Sequence, residues 1–412
     1  MRLACSLSVL GFCWLATSLS AADWPHWRGP DRDDVSKETG LLKEWPKEGP
    51  PRVWLNADVG IGYSGVSIAS GKLFTMGARE DTEFLICLDA NDGKELWSAR
   101  IGSRLGNGWG DGPRGTPSVD GERVYAMGGQ GTLICAQVSS GEVTWTKTMT
   151  ALGGKKPGWG FCESVLIDGA RVVCTPGGSE GAIAALNKQD GEVLWRSTEV
   201  TNGAQYATVT PIEHNGQRQY LQLFTNSLVA VAAETGKLLW KTDWPDGRTA
   251  VIPTPIFHDG HVFITSGYKA GCKLARVGPD NQVEDVYSHK DLQNHHGGVV
   301  RIGDHVYGSS DQNWVCLDFK TGKPAWIERR IFGKGSVTSA DGMLYCLDEN
   351  NGEVVLVDAS PAGWKEHGRF TLAALSGKRS RQGKVWTHPV VCNGKLFLRD
   401  QELLSCYDVQ AR

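Results

Sequence analysis

The chain has no CxxC pair, no CxxCH, no two adjacent cysteines, and no apolar stretch of 18 residues beyond its N-terminal region. The first absence excludes a zinc ribbon and the second excludes covalent c-type haem attachment. A membrane-spanning helix needs about 20 apolar residues, so none is expected past the N-terminus. Charge of one sign is missing too. The 43 Lys and Arg stand against 46 Asp and Glu, and the pI of about 6.4 carries no basic footprint for nucleic acid. With 22% charged and 40% hydrophobic residues, the composition is not that of a disordered chain. What stands in excess is glycine, 52 of 412 residues, and tryptophan, 16. That mixture implies many tight turns between short strands.

Arg2 is the only charge ahead of an apolar run from Leu3 to about Ala16, and small residues follow up to Ala22. This reads as a signal peptide, residues 1–22, cleaved after Ala22. Cys13 follows the bulky Phe12, so lipoprotein processing is not expected. The product is expected to be exported to the periplasm or beyond the cell, with no transmembrane segment, and to be a monomer. Cleavage removes Cys5 and Cys13 and leaves nine of the 11 cysteines, an odd number, so at least one thiol stays free. Cys87, Cys135, Cys316 and Cys406 recur in apolar strand-like runs, where a free thiol acts as a small hydrophobe.

Length alone allows two or three domains, but the chain repeats itself. Cys87-Leu88-Asp89-Ala90-Asn91-Asp92-Gly93-Lys94-Glu95-Leu96-Trp97 is one unit. The same Gly-to-Trp spacing returns at Gly141/Trp145, Gly191/Trp195, Gly236/Trp240 and Gly322/Trp326, with a shortened copy at Trp364 and a worn one ending at Tyr287. A second marker, a polar turn before an apolar pair, counts eight units from Ser70-Gly71 to Asn393-Gly394 at separations of 38 to 52 residues. Four short strands fill such a unit, and units of that period are propeller blades. The last unit lacks a Trp strand, whereas Pro51-Arg52-Val53-Trp54-Leu55 is a Trp strand with nothing before it. The expectation is an all-β, eight-bladed β-propeller of four-stranded antiparallel blades over residues 51–412. Its N-terminal strand completes the last blade, behind an extended segment at 23–50.

The matches at Asp89/Gly93/Trp97, Glu234-Thr235-Gly236/Trp240 and Asp318/Thr321-Gly322/Trp326 make the chain resemble the pyrroloquinoline quinone (PQQ) repeat family. The resemblance covers nearly all of the chain after residue 22 and implies an eight-bladed propeller with a tryptophan-docking girdle. The opening Asp23-Trp24-Pro25-His26-Trp27-Arg28-Gly29-Pro30 is similar to the start of exported bacterial, notably planctomycete, PQQ-like proteins. A family of repeats names a structural unit and leaves the function to be argued from a site.

In a propeller the innermost strands line a central channel whose mouth is the usual ligand site. Eight residues ahead of the turn markers stand Tyr63, Pro113, Phe161, Ile252, His296, Lys334 and Trp386; six ahead stand Glu163, Thr254, Ser336 and His388 among glycines. By strand alternation these two columns share a face, and Ser64, Arg114, Cys162 and Thr387 lie between them. Glu163 is a candidate base or calcium ligand, or a carboxylate that satisfies channel water. Arg114 is a candidate fork for a carboxylate, or half of an ordinary ion pair. Lys334, Trp386, His388 and His296 complete a candidate cofactor or ligand site. Adjacent His295 and His296 should diverge, and no metal site is expected. Trp109, Trp159 and Trp244 are loop aromatics suited to contact a partner or to plug the blade ends.

Two functions stand ahead of an unrelated hydrolytic or carbohydrate-active role. One is a binding or scaffold protein that presents a face to an envelope protein or polymer. The other is a PQQ-dependent alcohol or sugar dehydrogenase holding PQQ with calcium at the channel mouth. The resemblance weakens the second, since the alcohol-oxidising members carry an adjacent Cys pair and longer excursions between blades.

Overall fold

The computed structural model describes residues 23–244 and 249–412; the expected signal peptide lies outside the described residues. Each repeat folds on itself because an apolar run, a polar turn that accepts positive φ and a second apolar run form antiparallel hairpins. Eight blades result: 67–103, 118–148, 166–196, 210–243, 256–289, 299–329, 335–371 and 390–408. We number them 1 to 8. The only helix among the described residues is the single 3-10 turn Thr150–Leu152.

Blade 8 is completed as the sequence implied, by the strand Arg52–Asn56 pairing antiparallel with Leu403–Asp408. Blade 7 gains an extra strand, Val35–Ser36, which pairs parallel with Gly335–Ala340. Closing the ring with the chain's own N-terminal strand leaves no unpaired blade edge at the seam. The seam is also pinned by Arg399, whose guanidinium donates to the carbonyls of Gly60, Ser64, Met76 and Gln401 and to Thr75 Oγ1 at 2.6–3.0 Å.

There is no central core. The apolar side chains form eight layers, each between two neighbouring blades, such as Phe74, Met76 and Ile101 against Val119, Val124 and Ile134. The first strand of each blade lies nearest the axis; Ser118 Oγ of blade 2 donates to Val165 O beside blade 3 at 2.7 Å.

The repeated tryptophan ties one blade to the next. Trp54, Trp97, Trp145, Trp195 and Trp326 each donate Nε1 to a carbonyl of the following blade, at Ala90, Val138, Lys188, Ala233 and Ser360, over 2.9–3.1 Å. Each acceptor stands three residues before the turn glycine. Tyr287 makes the same bond to Phe319 O at 2.9 Å. Trp240 departs, bonding Gln219 within its own blade, and there His214 and Asn215 reach Gly278 and Pro279 of blade 5 instead.

Cys87, Cys135, Cys316 and Cys406 stand cross-strand from Trp97, Trp145, Trp326 and Trp54, each next to a shift in strand register. Ala185 and Ala230 hold the same place opposite Trp195 and Trp240. The position selects a small apolar residue beside the indole, which is the physical reason those cysteines recur. Cys87, Cys135, Cys174, Cys272, Cys316, Cys346 and Cys406 are buried free thiols, and Cys162 is a half-buried one.

The turn glycine has to be glycine for two reasons. Gly93 sits at φ +73°, and a Cβ there would stand 2.6 Å from the Trp54 ring. Gly71 has a similar φ of +75° but open space around it. Gly71→Ala should therefore cost only the backbone strain of about 1 kcal/mol, whereas Gly93→Ala should cost roughly 1–3 kcal/mol more by overpacking the indole. Equal losses in chemical denaturation of the two variants would deny the indole contact its role in closing the ring.

Candidate functional site

The axial strands are preceded by extended lead-in segments that rise to one rim of the channel. The lead-ins and the N-terminal segment enclose a cavity of about 240 Å³ at that rim. Tyr63, Arg114, Cys162, Thr208, Ile252 and His296 come one from each of blades 1 to 6, and Trp386, Thr387 and His388 come from blade 8. Trp109, Trp159 and Tyr206 from the same lead-ins, with Tyr268 from a blade 5 turn, form the mouth.

The wall is aromatic and its rings are inclined to one another. Trp386 stacks on His296 at 4.7 Å and 24°, with Tyr63 at 5.0 Å and 50° and Trp109 at 6.4 Å and 36°. Across the cup Trp159 meets Tyr206 edge-on at 5.7 Å and 70°. Tyr63 Oη donates to Trp109 O at 2.7 Å and fixes the mouth against the wall.

One cation stands in this wall. Arg114 donates Nε to Trp159 O at 2.8 Å and Nη2 to Gly110 O at 2.7 Å, and its guanidinium lies over the Tyr63 ring at 5.1 Å. No carboxylate ion-pairs with it among the described residues. Its orientation is set by backbone, and its charge is left to whatever enters the cup. Burial, then the Lys334 charge, holds the His296 imidazole well below its ordinary pKa, so it is neutral.

Behind Trp386 lies Glu349, which the sequence reading did not single out. It accepts from Trp386 Nε1 at 3.1 Å, pairs with Lys334 at 3.2 Å and stands 3.9 Å from His296 Nδ1. Lys334 is therefore spent on Glu349 and does not line the cup. His295 turns away from His296 to Asp311 at 2.9 Å and to the Tyr268 ring at 4.5 Å.

The floor is the segment after Asp23, which crosses the channel and touches seven blades. Trp24 bridges Ile68, Pro25 O accepts from Val119 N, and Trp27 Nε1 reaches Thr254 Oγ1 at 3.4 Å. Arg28 and Arg32 donate to Val299 O and Val165 O at 2.6 and 3.0 Å, and Asp34 O accepts from Ser339 N. Asp34 Oδ2 stands 3.3 Å from His388 Nδ1, whose Nε2 faces His296 O at 2.8 Å; the His388 ring packs on Trp27 at 4.6 Å. A channel that would run through the ring is thus a cup closed by Trp27 and His388.

Of the residues singled out from the sequence, Arg114, His296, Trp386 and His388 meet in the cup, and Lys334 and Glu163 do not. Glu163 is buried with its oxygens on Thr175, accepting from the backbone N at 2.7 Å and from Oγ1 at 2.9 Å. Trp386 and His388, from the two alternate columns, share the cup as expected, but the intervening column is not turned away from it. Arg114, Cys162 and Thr387, from the intervening column, line the cup beside Tyr63, Ile252 and Trp386. These positions lie mostly ahead of the axial strands, where no ladder enforces a pleat. Trp244 is buried at 2% exposure and is no surface contact, whereas Trp109, at 44%, stands open at the rim. Trp27, Tyr206 and Tyr268 went unnoticed. The repeated Gly-Trp-Gly at 108–110 and 158–160 in consecutive blades was the available signal for an aromatic mouth.

A family profile described as outer membrane protein assembly factor BamB matches residues 81–328. The chain is 25% identical over 277 residues to the outer membrane protein assembly factor BamB of Shewanella oneidensis, a match spanning 62% of this chain and 66% of that one. It is 34% identical over 96 residues, 22% of its length, to a polyvinylalcohol dehydrogenase from a Pseudomonas species, of which those residues are 15%. The chain thus spans less than two thirds of either relative. Its fold resembles that of BamB from Moraxella catarrhalis at a TM-score of 0.60, with 15% identity over 84% of this chain and 96% of that one. The quinohemoprotein alcohol dehydrogenase of Comamonas testosteroni aligns at 0.66, with 11% identity over 95% and 81%. At such identities the likeness is one of fold.

Glu163 generates a pH prediction. Burial raises its carboxyl to about 7 from the ordinary 4.5. Between those values the unfolded chain holds fewer protons than the folded one, so this group's stability contribution is full below about pH 4.5 and lost as pH rises through 7. The loss is on the order of 3 kcal/mol at most. Glu163→Gln keeps an acceptor for Thr175 and cannot ionise. Its melting temperature relative to the parent should rise steadily from pH 4.5 to 7; a constant difference across that window would place the titration elsewhere.

Proposed function

The chain belongs to the family described as outer membrane protein assembly factor BamB, and from that premise we propose an exported propeller of the cell envelope that binds a ligand or partner and does not transform it. The aromatic cup at the channel mouth is its binding site. The single observation that carries this reading is the make-up of the wall: aromatic rings, a few hydroxyls, a thiol, one guanidinium and two imidazoles, with no Asp or Glu among the residues that line it. Of the imidazoles, His296 is held neutral and His388 stands between Asp34 and His296 O.

General acid–base work needs a group within hydrogen-bond reach of the substrate. The carboxylates nearest the cup are committed elsewhere, Glu163 to Thr175, Glu349 to Lys334 and Trp386, and Asp34 to Arg28 and His388. What remains suits recognition. Rings give area at low entropic cost, Arg114 gives charge and direction, and the floor excludes water from below.

PQQ with calcium, the cofactor pair of the alternative reading, fits this residue set poorly. Three carboxylates would meet one unpaired cation, and calcium takes six to eight oxygen ligands, commonly carboxylates, that the wall lacks. Among the described residues no group of three His, Cys, Asp or Glu stands together to hold a metal ion. The relative named for an assembly factor supports an envelope partner.

The two readings part in one experiment on the purified protein. It is titrated with PQQ, with and without calcium, by tryptophan fluorescence, and then assayed for dye-linked oxidation of alcohols and sugars. No calcium-dependent saturation and no dye reduction are expected. Calcium-dependent binding at about 1 µM or tighter, accompanied by dye reduction that Arg114→Ala abolishes, would make the protein a quinone-dependent dehydrogenase.

A further inference from the structure

The cup's size, charge and ring arrangement narrow what it can take, given the reading of it as a binding site. Pockets for drug-sized ligands begin at roughly 300 Å³, so a cavity of about 240 Å³ holds one six-membered ring with its substituents. Arg114 is the one cation that lines it without a carboxylate partner, and His296 is held neutral. A ligand bearing one negative charge is therefore matched, and one bearing several is not. The guanidinium is fixed on Trp159 O and Gly110 O before any ligand arrives, which spares the ordering cost of a flexible cation.

The rings decide between a flat acid and a puckered one. Tyr63 and Trp109 are inclined by 50° and 36° to Trp386, and Trp159 by 70° to Tyr206. Such a bowl offers the negative faces of its rings from several directions, and a pyranose projects polarised C–H bonds in several directions to meet them. Thr249 and Thr387 line the same wall and make no hydrogen bond to protein among the described residues, so their hydroxyls are available to sugar hydroxyls. We propose that the cup binds a single acidic pyranose, a uronate, with its carboxylate on Arg114, its C–H face on Trp386 and its hydroxyls toward Thr249 and Thr387. The sugar is either free or the exposed end of an acidic polysaccharide.

The test titrates the protein with D-glucuronate, D-galacturonate, D-glucose and benzoate, following the fluorescence of the tryptophans that line the cup. Saturable binding of a uronate near or below about 1 mM, at least tenfold tighter than glucose and benzoate, is expected. Arg114→Gln should bring the uronate down to the level of glucose, and Arg114→Lys should restore part of the preference. Because Arg114 also holds two carbonyls, melting curves and glucose affinity of both variants report whether the cup is intact; a Thr387→Val variant, which leaves Arg114 in place, should weaken uronate and glucose alike. A galacturonate trimer that binds as tightly as the monosaccharide assigns the cup to a polymer end, and a trimer that is excluded assigns it to the free sugar.

Glucose binding as tight as uronate, benzoate binding tighter, or no response to any of the four overturns the assignment. In those cases the binding reading of the cup stands unless dye-linked oxidation is seen, which defeats that reading whatever the uronate does.

Discussion

The bond from an indole N–H to a carbonyl in the next blade, with the ring face lying on that blade's turn glycine, is the constraint from which the rest of the structure follows. It explains why glycine stands three residues after the acceptor at Gly93, Gly141, Gly191, Gly236 and Gly322, where a Cβ would enter the ring. It explains why a thiol or an alanine faces the indole across the sheet. Repeated around the ring, the contact fixes the angle between blades, and the apolar layers fill the wedges so formed. Trp54 makes the same bond from the N-terminal strand, so closure uses the interaction that joins most other pairs; Trp240 and Trp364 instead bond Gln219 and Glu366 of their own blades. The buried Arg399 fork then holds that seam on five acceptors.

A closed ring leaves an axis that no blade fills, and here the segment following Asp23 fills it. That segment carries charges into the interior, and each is met there. Arg28 and Asp34 pair at 3.4 Å, Arg32 donates to Val165 O, and Asp34 is shared with His388. Breaking one member of such a buried set strands the others, which is why the segment behaves as part of the fold and not as a tail. Its consequence for function is geometric: an open tube becomes a cup with Trp27 as its base.

The cup breaks the eightfold repeat because lead-in segments are free of the pairing that makes blades alike. Where a ladder holds the chain, side chains serve the repeat; where it does not, blade 2 can offer Arg114, blade 4 Tyr206 and blade 8 Trp386 to one space. The acids around that space are withdrawn into pairs, so a single positive charge faces an aromatic bowl. Recognition of a small monoanion follows from that imbalance more readily than oxidation–reduction does.

The architecture was legible because repetition writes it many times. Eight turn markers, the Gly-to-Trp spacing and an unmatched Trp strand at residues 51–55 sufficed to count blades and to close the ring. The free, buried cysteines were legible in part, from their apolar surroundings. The site was half legible. Arg114, His296, Trp386 and His388 stood out as unequal residues at equivalent positions, but Glu163 and Lys334 stood out equally and are turned to Thr175 and Glu349. Direction was what the sequence could not state, because alternation presumes a strand and these residues precede one. Nor could spacing bring Trp27 to Thr254 and His388, more than 200 residues away, since that contact exists only once the ring encloses the segment. Periodic contacts between neighbours in sequence are set by local pattern; contacts across the axis are set by closure, and closure is a property of the tertiary structure alone.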